Sequence, residues 1–383
     1  MLLITVVTVS FLRLMVHDQQ QASNSDLSQS AYDSAQAGVE DAKRALLQYE
    51  KNCNYNLSNC SFANAVSTTQ CNAALTGISG SGATGPNGLP SEIPVQQSQN
   101  GNDTALDQAY TCVLIGLNTD DYLGTVKANE SQLVPLASAA PFDRVQVQWF
   151  SSEDVSSGAA VSLTGVSATG YPLLTQGQWP VNRPSIMRAQ LMQVAGKFTL
   201  NNFDTVSGSQ SNAATLFLYP TSKLPTGPLS FTANDQRKTN IATDPAPKTT
   251  LETPLSVSCV SSLTAGGYAC SAELVLPQPV GGAANNSDRN AFLRLGALYN
   301  ASHYRVTLWN GPIGPGNPNP VQFASVQPQI DSTGRANDVF RRVVSRVNLY
   351  DTIDAGIEVT GDFCKDFSVT NTQYIAGAIA CTP

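Results

Sequence analysis

Charge is scarce in this chain. Only 13% of its 383 residues are charged, and 28 acidic against 21 basic side chains leave a net charge of −7. That excludes a basic scaffold held to nucleic acid by many phosphate contacts, so no specific nucleic-acid partner is expected, although a local basic strip remains open. Histidine is scarcer still, with only His17 and His303. No C-x-x-C pair occurs to join them in a zinc site, and no C-x-x-C-H occurs to hold haem. No G-x-S-x-G nucleophile elbow is present either. The sequence therefore predicts no catalytic site, no metal and no cofactor: a chain that is not an enzyme.

Three further patterns dissolve in their context. Gly80-x-Gly82-x-x-Gly85 matches a dinucleotide fingerprint on paper, but no predicted strand precedes it and Pro86-Asn87-Gly88 stands where a helix should start. Asp120-Asp121 could serve acid–base work or calcium, but Asn118, Thr119 and Gly124 around it read as a turn. Arg335, Arg341, Arg342 and Arg346 cluster around one predicted strand, where Arg342 and Arg346 share a face and Arg341 points away. A solvated face, or ion pairs to Asp351 and Asp354, is the preferred reading over an anion site.

What the chain does have is Ser, Thr, Asn, Gln, Gly and Pro, the surface of a secreted or cell-surface protein. Asn-x-Ser/Thr occurs at Asn56, Asn59, Asn102, Asn129, Asn285 and Asn300, marking expected surface loops. The eight cysteines, Cys53, Cys60, Cys71, Cys112, Cys259, Cys270, Cys364 and Cys381, all lie outside the apolar amino-terminal stretch. Their even number predicts disulfides in an oxidising compartment. Cys259–Cys270 closes a short loop beside predicted strands. Cys53, Cys60, Cys71 and Cys112 are expected to pair among themselves. Of the three connectivities, Cys53–Cys60 with Cys71–Cys112 is preferred.

From Met1 to Asp41 there is no proline and one glycine, Gly38. A single helix is predicted from Met1 to about Glu50. Leu2, Leu3, Ile4, Val6, Val7, Val9, Phe11, Leu12, Leu14, Met15 and Val16 encircle its first part, with Arg13 among them. A helix apolar all round must be surrounded by lipid or by other helices. As a helix this apolar segment spans about 24 Å, short of the ~30 Å core of a bilayer. Leu27, Ala31, Ala35, Gly38, Ala42, Ala45 and Tyr49 step by three and four along one later face, which should lie on a sheet. Glu40 and Arg44 on the other face are spaced for an i, i+4 pair.

The rest reads as short strands between breaker-rich loops. Val145, Val147 and Trp149 alternate strictly, and Tyr304 to Trp309 does likewise. Further strands are predicted at Tyr110 to Leu117, Ser185 to Val194, Thr215 to Tyr219, Ser256 to Val260, Tyr268 to Leu276, Phe292 to Leu298, Val339 to Tyr350 and Gln373 to Ala380. Helix-length inserts between them are lacking, so pairing should be mostly antiparallel. The expected class is α+β: a long amino-terminal helix on a β-rich head. The expected divisions are 1–50 for the helix, 51–200 for one head lobe and 201–383 for a second. The polar stretch from Phe198 to Asn212 marks the lobe boundary.

The run from Asp26 to Leu46, with Ala35-Gln36-Ala37-Gly38-Val39-Glu40-Asp41-Ala42 at its centre, resembles the amino-terminal helix of type IV pilins, particularly the large pilins with an A-x-A-G-[IV]-E-D-A segment. Phe363-Cys364-Lys365-Asp366-Phe367-Ser368-Val369 resembles the carboxyl-terminal part of such pilins. The resemblance covers about the first 50 residues, and the middle of the chain carries none. It implies a loop closed by Cys364–Cys381, a pair also close enough in sequence to form a local bridge. Two departures stand out: position 5 is Thr5 where the family usually has glutamate, and the apolar run is several residues shorter. A basic leader is absent, as expected of a processed subunit.

The resemblance implies a helical homopolymer built through the apolar helix, with heads outward. It also implies an inner-membrane assembly machinery as partner, embedding in membrane before assembly, and an extracellular filament for adhesion, motility or DNA uptake. A host or neighbouring cell surface is a candidate partner. The alternative is a low-copy tip pilin or membrane-tethered adhesin with the same tail.

Overall fold

The computed structural model describes residues 2–50, 66, 70–75, 83–84, 90–96, 107–155, 159–163, 174, 176–195, 206–207, 210–211, 213–222, 228–230, 255–263, 267–281, 289–314, 316 and 320–349, with side chains of the first helix from Ser10 on. Helix α1 runs unbroken over Leu2–Tyr49, about 72 Å, because nothing in it interrupts the backbone ladder.

Seventeen strands follow among the described residues. They are β1 (Ala83–Thr84), β2 (Pro90–Gln96), β3 (Gln108–Thr119), β4 (Tyr122–Val126), β5 (Ser131–Pro135), β6 (Phe142–Ser151), β7 (Ile186–Ala195), β8 (Val206–Ser207), β9 (Gln210–Ser211), β10 (Ala213–Thr221), β11 (Leu229–Ser230), β12 (Leu255–Ser258), β13 (Tyr268–Val280), β14 (Arg289–Leu298), β15 (Ser302–Trp309), β16 (Phe323–Ala336) and β17 (Val339–Arg346). One long helix with a mostly antiparallel β body makes the fold α+β. Two pairs are parallel, β10 with β12 and β11 with β13.

The chain falls into two compact units. The first combines Met1–Thr119 with Gln327–Leu349. Its sheet has the order β1-β2-β3-β16-β17. One core joins the helix to this sheet: Val39, Ala42, Ala45 and Leu46 pack with Ile93, Tyr110, Val113, Ile115 and Ile330. The Cys71–Cys112 disulfide ties the turn before Ala73–Leu75 to β3. Beside it Asn72 is fully buried and in the left-handed region (φ 62°). Its side chain donates to Thr111 O and accepts from Val113 N, so it satisfies strand positions without being a strand.

The second unit is built on Asp120–Val326. Sheets β12-β10-β7-β14-β5 and β11-β13-β6-β15-β4 share one apolar core, as sheets with one hydrophobic face each must. Val145, Val147 and Trp149 of β6 and Tyr304, Val306 and Leu308 of β15 are buried in it, following the period-2 pattern. Trp149 donates its indole N–H to Ser185 O at 3.0 Å. Cys259–Cys270 joins the end of β12 to β13, linking the two sheets.

The division of the chain differs from the one expected at 51–200 and 201–383. Strands β7 and β10, which flank Phe198 to Asn212, are antiparallel neighbours in one sheet, with Ala213 opposite Met192. The polar stretch therefore joins strands within a unit. The first unit instead takes most of β16, from Gln327 on, and all of β17 from after the second, a nonlocal pairing that leaves no compositional mark.

Candidate assembly interface

The two halves of α1 differ in burial. From about Leu27 onward the helix lies on the sheet of its own unit. Ala31, Ala35, Ala42 and Ala45 are fully buried and Gly38 is buried, while Leu27 and Tyr49 are half-buried at the ends of the stripe. Ser34, Val39 and Leu46 join the same face, and Ser34 returns its hydroxyl to Ser30 O at 2.8 Å.

The stripe is made of small residues because the backbones touch. A methyl group added at Gly334 of β16 would stand 2.2 Å from Ala31 O and 2.3 Å from Ala35 N. One added at Gly38 would stand 2.4 Å from the Ser332 hydroxyl oxygen. Tyr110 fixes the helix further by donating to Asp41 at 2.6 Å. This contact changes the expected ion pairing. Asp41, oriented by Tyr110, takes Arg44 at 2.8 Å, and Glu40 pairs with Lys43 at 2.6 Å instead of with Arg44.

Every described residue from Ser10 to Asp26 is exposed. Phe11, Leu12, Leu14, Met15 and Val16 are between 53% and 68% exposed. Covering five such side chains would stabilise an assembly by roughly 5–10 kcal/mol, using ~1.5–3 kcal/mol for each full burial and scaling to the part now exposed. The side chains of Leu2, Leu3, Ile4, Val6, Val7 and Val9 lie outside the described ones. No helix among the described residues is long and apolar enough to cross a membrane.

Two of the predicted cysteine pairs, Cys71–Cys112 and Cys259–Cys270, are disulfides here. Cys53, Cys60, Cys364 and Cys381 fall outside the described residues. So do the predicted strand Gln373 to Ala380 and the residues Asp351 and Asp354.

The arginines on β16 and β17 do not form one cluster. Arg335 pairs with Glu92 of β2, Arg342 with Asp331 of the adjacent strand, and Arg341 donates to the Ser28 hydroxyl of α1 at 2.7 Å. Strand alternation sends Arg341 to the helix side and Arg342 to the other, and each finds a neighbour there. Hydrogen bonding to Asp331 raises the Arg342 pKa further.

His303 sits on β15 with Nδ1 2.7 Å from Asp154 and Nε2 3.2 Å from Glu153. Asp154 also accepts the His303 and Ser151 backbone N–H groups, the latter as part of a capping box on the 3-10 turn Ser152–Asp154. The carboxylate thus holds a turn against a strand. Asp120 and Asp121 lie at the β3–β4 turn, accepting from Gln322 and Arg305.

Sequence reasoning missed two features of the second unit. Arg183 is fully buried, its guanidinium 4.7 Å from the Trp179 ring centroid and donating to Pro220 O at 3.1 Å. Burial lowers its pKa, with the charge and hydrogen bond of Tyr219 opposing. Asn300 lies on the loop between β14 and β15, half-buried, and donates its amide to Pro180 O, Val181 O and Arg183 O at 2.8–3.1 Å. A Trp-Pro-x-Asn-Arg run and a sequon before a strand gave no periodic signal for either.

A cavity of about 290 Å³ in this unit is bordered by Gln146, Leu229, Ser271, Glu273 and Ile313. Its polar groups are engaged with one another and their neighbours: Gln146 donates to Ser271 at 3.1 Å, and Glu273 pairs with Arg144.

No family model, curated protein or solved structure matches the chain.

Proposed function

We propose that the chain is a structural subunit of an extracellular filament of the type IV pilus kind, assembled through α1 with its heads outward. The observation that carries this reading is the division of one continuous helix. Its second half is buried on its own sheet through a stripe of small residues, while its first half presents exposed apolar side chains on more than one side. A helix of this kind needs company that a head packed on the other half does not give. Copies of the same helix supply it, and repetition of one contact makes a filament. The resemblance of residues 26–46 to pilin helices supports the same reading. Storage in a membrane before assembly, an assembly machinery there, and adhesion or motility as the filament's task belong to the proposal.

The second reading is a low-copy tip pilin or tethered adhesin. The cavity bordered by Gln146, Ser271 and Glu273 favours it, since a cleft edged by amide, hydroxyl and carboxylate groups suits a polar surface ligand.

Two substitutions separate these readings. Val9→Asp puts a carboxylate in the proposed helix bundle and should abolish sheared filaments while the head stays folded. Ala35→Asp buries a carboxylate without a cation against β16 and should unfold the first unit, costing at least ~3 kcal/mol. Normal filaments from Val9→Asp would remove the assembly role from α1 and leave the tethered adhesin.

A further inference from the structure

The exposed half of α1 carries few charges. Arg13, Asp18 and Asp26 are its ionised side chains, with His17 beside Asp18. None of these three makes an ion pair within the chain among the described residues, and all are exposed. They are spread along the exposed part of α1, so an interface built on this half encloses them. A lone guanidinium enclosed among apolar side chains is costly and demands a carboxylate.

We infer that Arg13 of one copy pairs with Asp18 of the next, and that this pair sets the axial offset between neighbouring helices. The inference rests on the filament reading. Arg13 and Asp18 are five residues apart, about 7.5 Å along the axis and about 140° around it. They point to nearly opposite sides, so a helix gives its cation to one neighbour and its carboxylate to another. That is a head-to-tail contact, which propagates instead of closing a dimer.

Asp26 is the competing acceptor, and the apolar segment decides against it. Residues 2–16 are the apolar run apart from Thr5, Thr8, Ser10 and Arg13. An offset of five residues keeps 2–11 of one copy beside 7–16 of the next. An offset of thirteen, about 20 Å, leaves only 2–3 beside 15–16 and sets the rest against polar residues. The Asp18 register satisfies the charge and keeps most of the apolar overlap together.

The test uses the full chain in cells whose surface filaments are sheared, pelleted and quantified. Arg13→Asp and Asp18→Arg should each reduce filament mass at least about tenfold, and the double swap should restore it to within about twofold. A second variant, Arg13→Cys with Asp18→Cys, should give a ladder of covalent oligomers on non-reducing gels that collapses on reduction. Within one helix those positions are about 9 Å apart, beyond the reach of a disulfide, so the ladder reports neighbouring copies. Failure of the double swap to restore filaments would overturn the inference while the filament reading stands, as it would if Arg13 met lipid headgroups. A ladder from Arg13→Cys with Asp26→Cys, and none from the Asp18 pair, would overturn it in favour of the longer offset. If the unaltered chain forms no filament, both the inference and the reading it rests on fail.

Discussion

Gly334→Ala is the smallest change that probes how the head holds its helix. The added methyl would stand 2.2 Å from Ala31 O and 2.3 Å from Ala35 N, and both are backbone atoms of α1. No side-chain rotation relieves such a clash, so α1 must lift from β16. Overpacking costs typically ~1–3 kcal/mol where side chains can yield, and the rigid contact here places this change at or above ~3 kcal/mol. Gly38→Ala on the facing helix makes an internal comparison. Its methyl meets the Ser332 hydroxyl at 2.4 Å, a side chain that can rotate, but also Val113 and Tyr110 at 3.0 and 3.1 Å. Alanine returns ~1 kcal/mol of helix propensity at that position, so the net cost should stay within ~2 kcal/mol. Urea denaturation of the full chain in detergent, followed by helix circular dichroism, would rank the two. A Gly334→Ala protein within ~0.5 kcal/mol of the unaltered chain would refute the backbone contact between α1 and β16.

Asn300→Ala should destabilise the second unit by about 1–3 kcal/mol, because three carbonyls lose their donor. Mass spectrometry should find no glycan on Asn300 of the folded protein, and a glycan there would contradict its placement. Replacing Cys71 and Cys112 by Ser opens a 41-residue separation and should cost ~4 kcal/mol on the chain-entropy account, against ~3 kcal/mol for the 11-residue separation of Cys259 and Cys270. Thermal unfolding of each double variant tests that order. Asp154→Asn should destabilise the Ser152–Asp154 turn by about 1–3 kcal/mol, since the charged acceptor for Ser151 N and His303 N becomes neutral.

The helix and its two-part character were legible in the residues. Nothing breaks it before Glu50, and steps of three and four identify the face that β16 covers. The central strands β6 and β15 were legible because Val145, Val147, Trp149 and their partners alternate over a single core. Four two-residue strands, β1, β8, β9 and β11, are too short to show a period, and the longer strands that escaped notice each carry a residue that argues against a strand. Strand β16 contains Pro328 and Gly334, and β4 contains Gly124, which lies directly beneath the Tyr304 ring. In both cases glycine is there because a neighbour comes too close for a side chain, a reason visible only in three dimensions. The small residues Ser332 and Gly334, two apart like strand partners of one face, were the available hint that the Ala stripe had a counterpart. The boundary between units was not legible, because β16 pairs with β3 across more than two hundred residues. The buried Arg183 and the half-buried Asn300 were missed because each is held by carbonyls that no local pattern announces.

Electron microscopy of filaments sheared from cells expressing this chain, with the backbone traced in the density, bears most directly on the central claim. Filaments composed of this chain are expected, with residues 2–16 of neighbouring copies packed together at the axis and the heads outside. Surface filaments made of another protein, or of this one with α1 outside the axis, would contradict it.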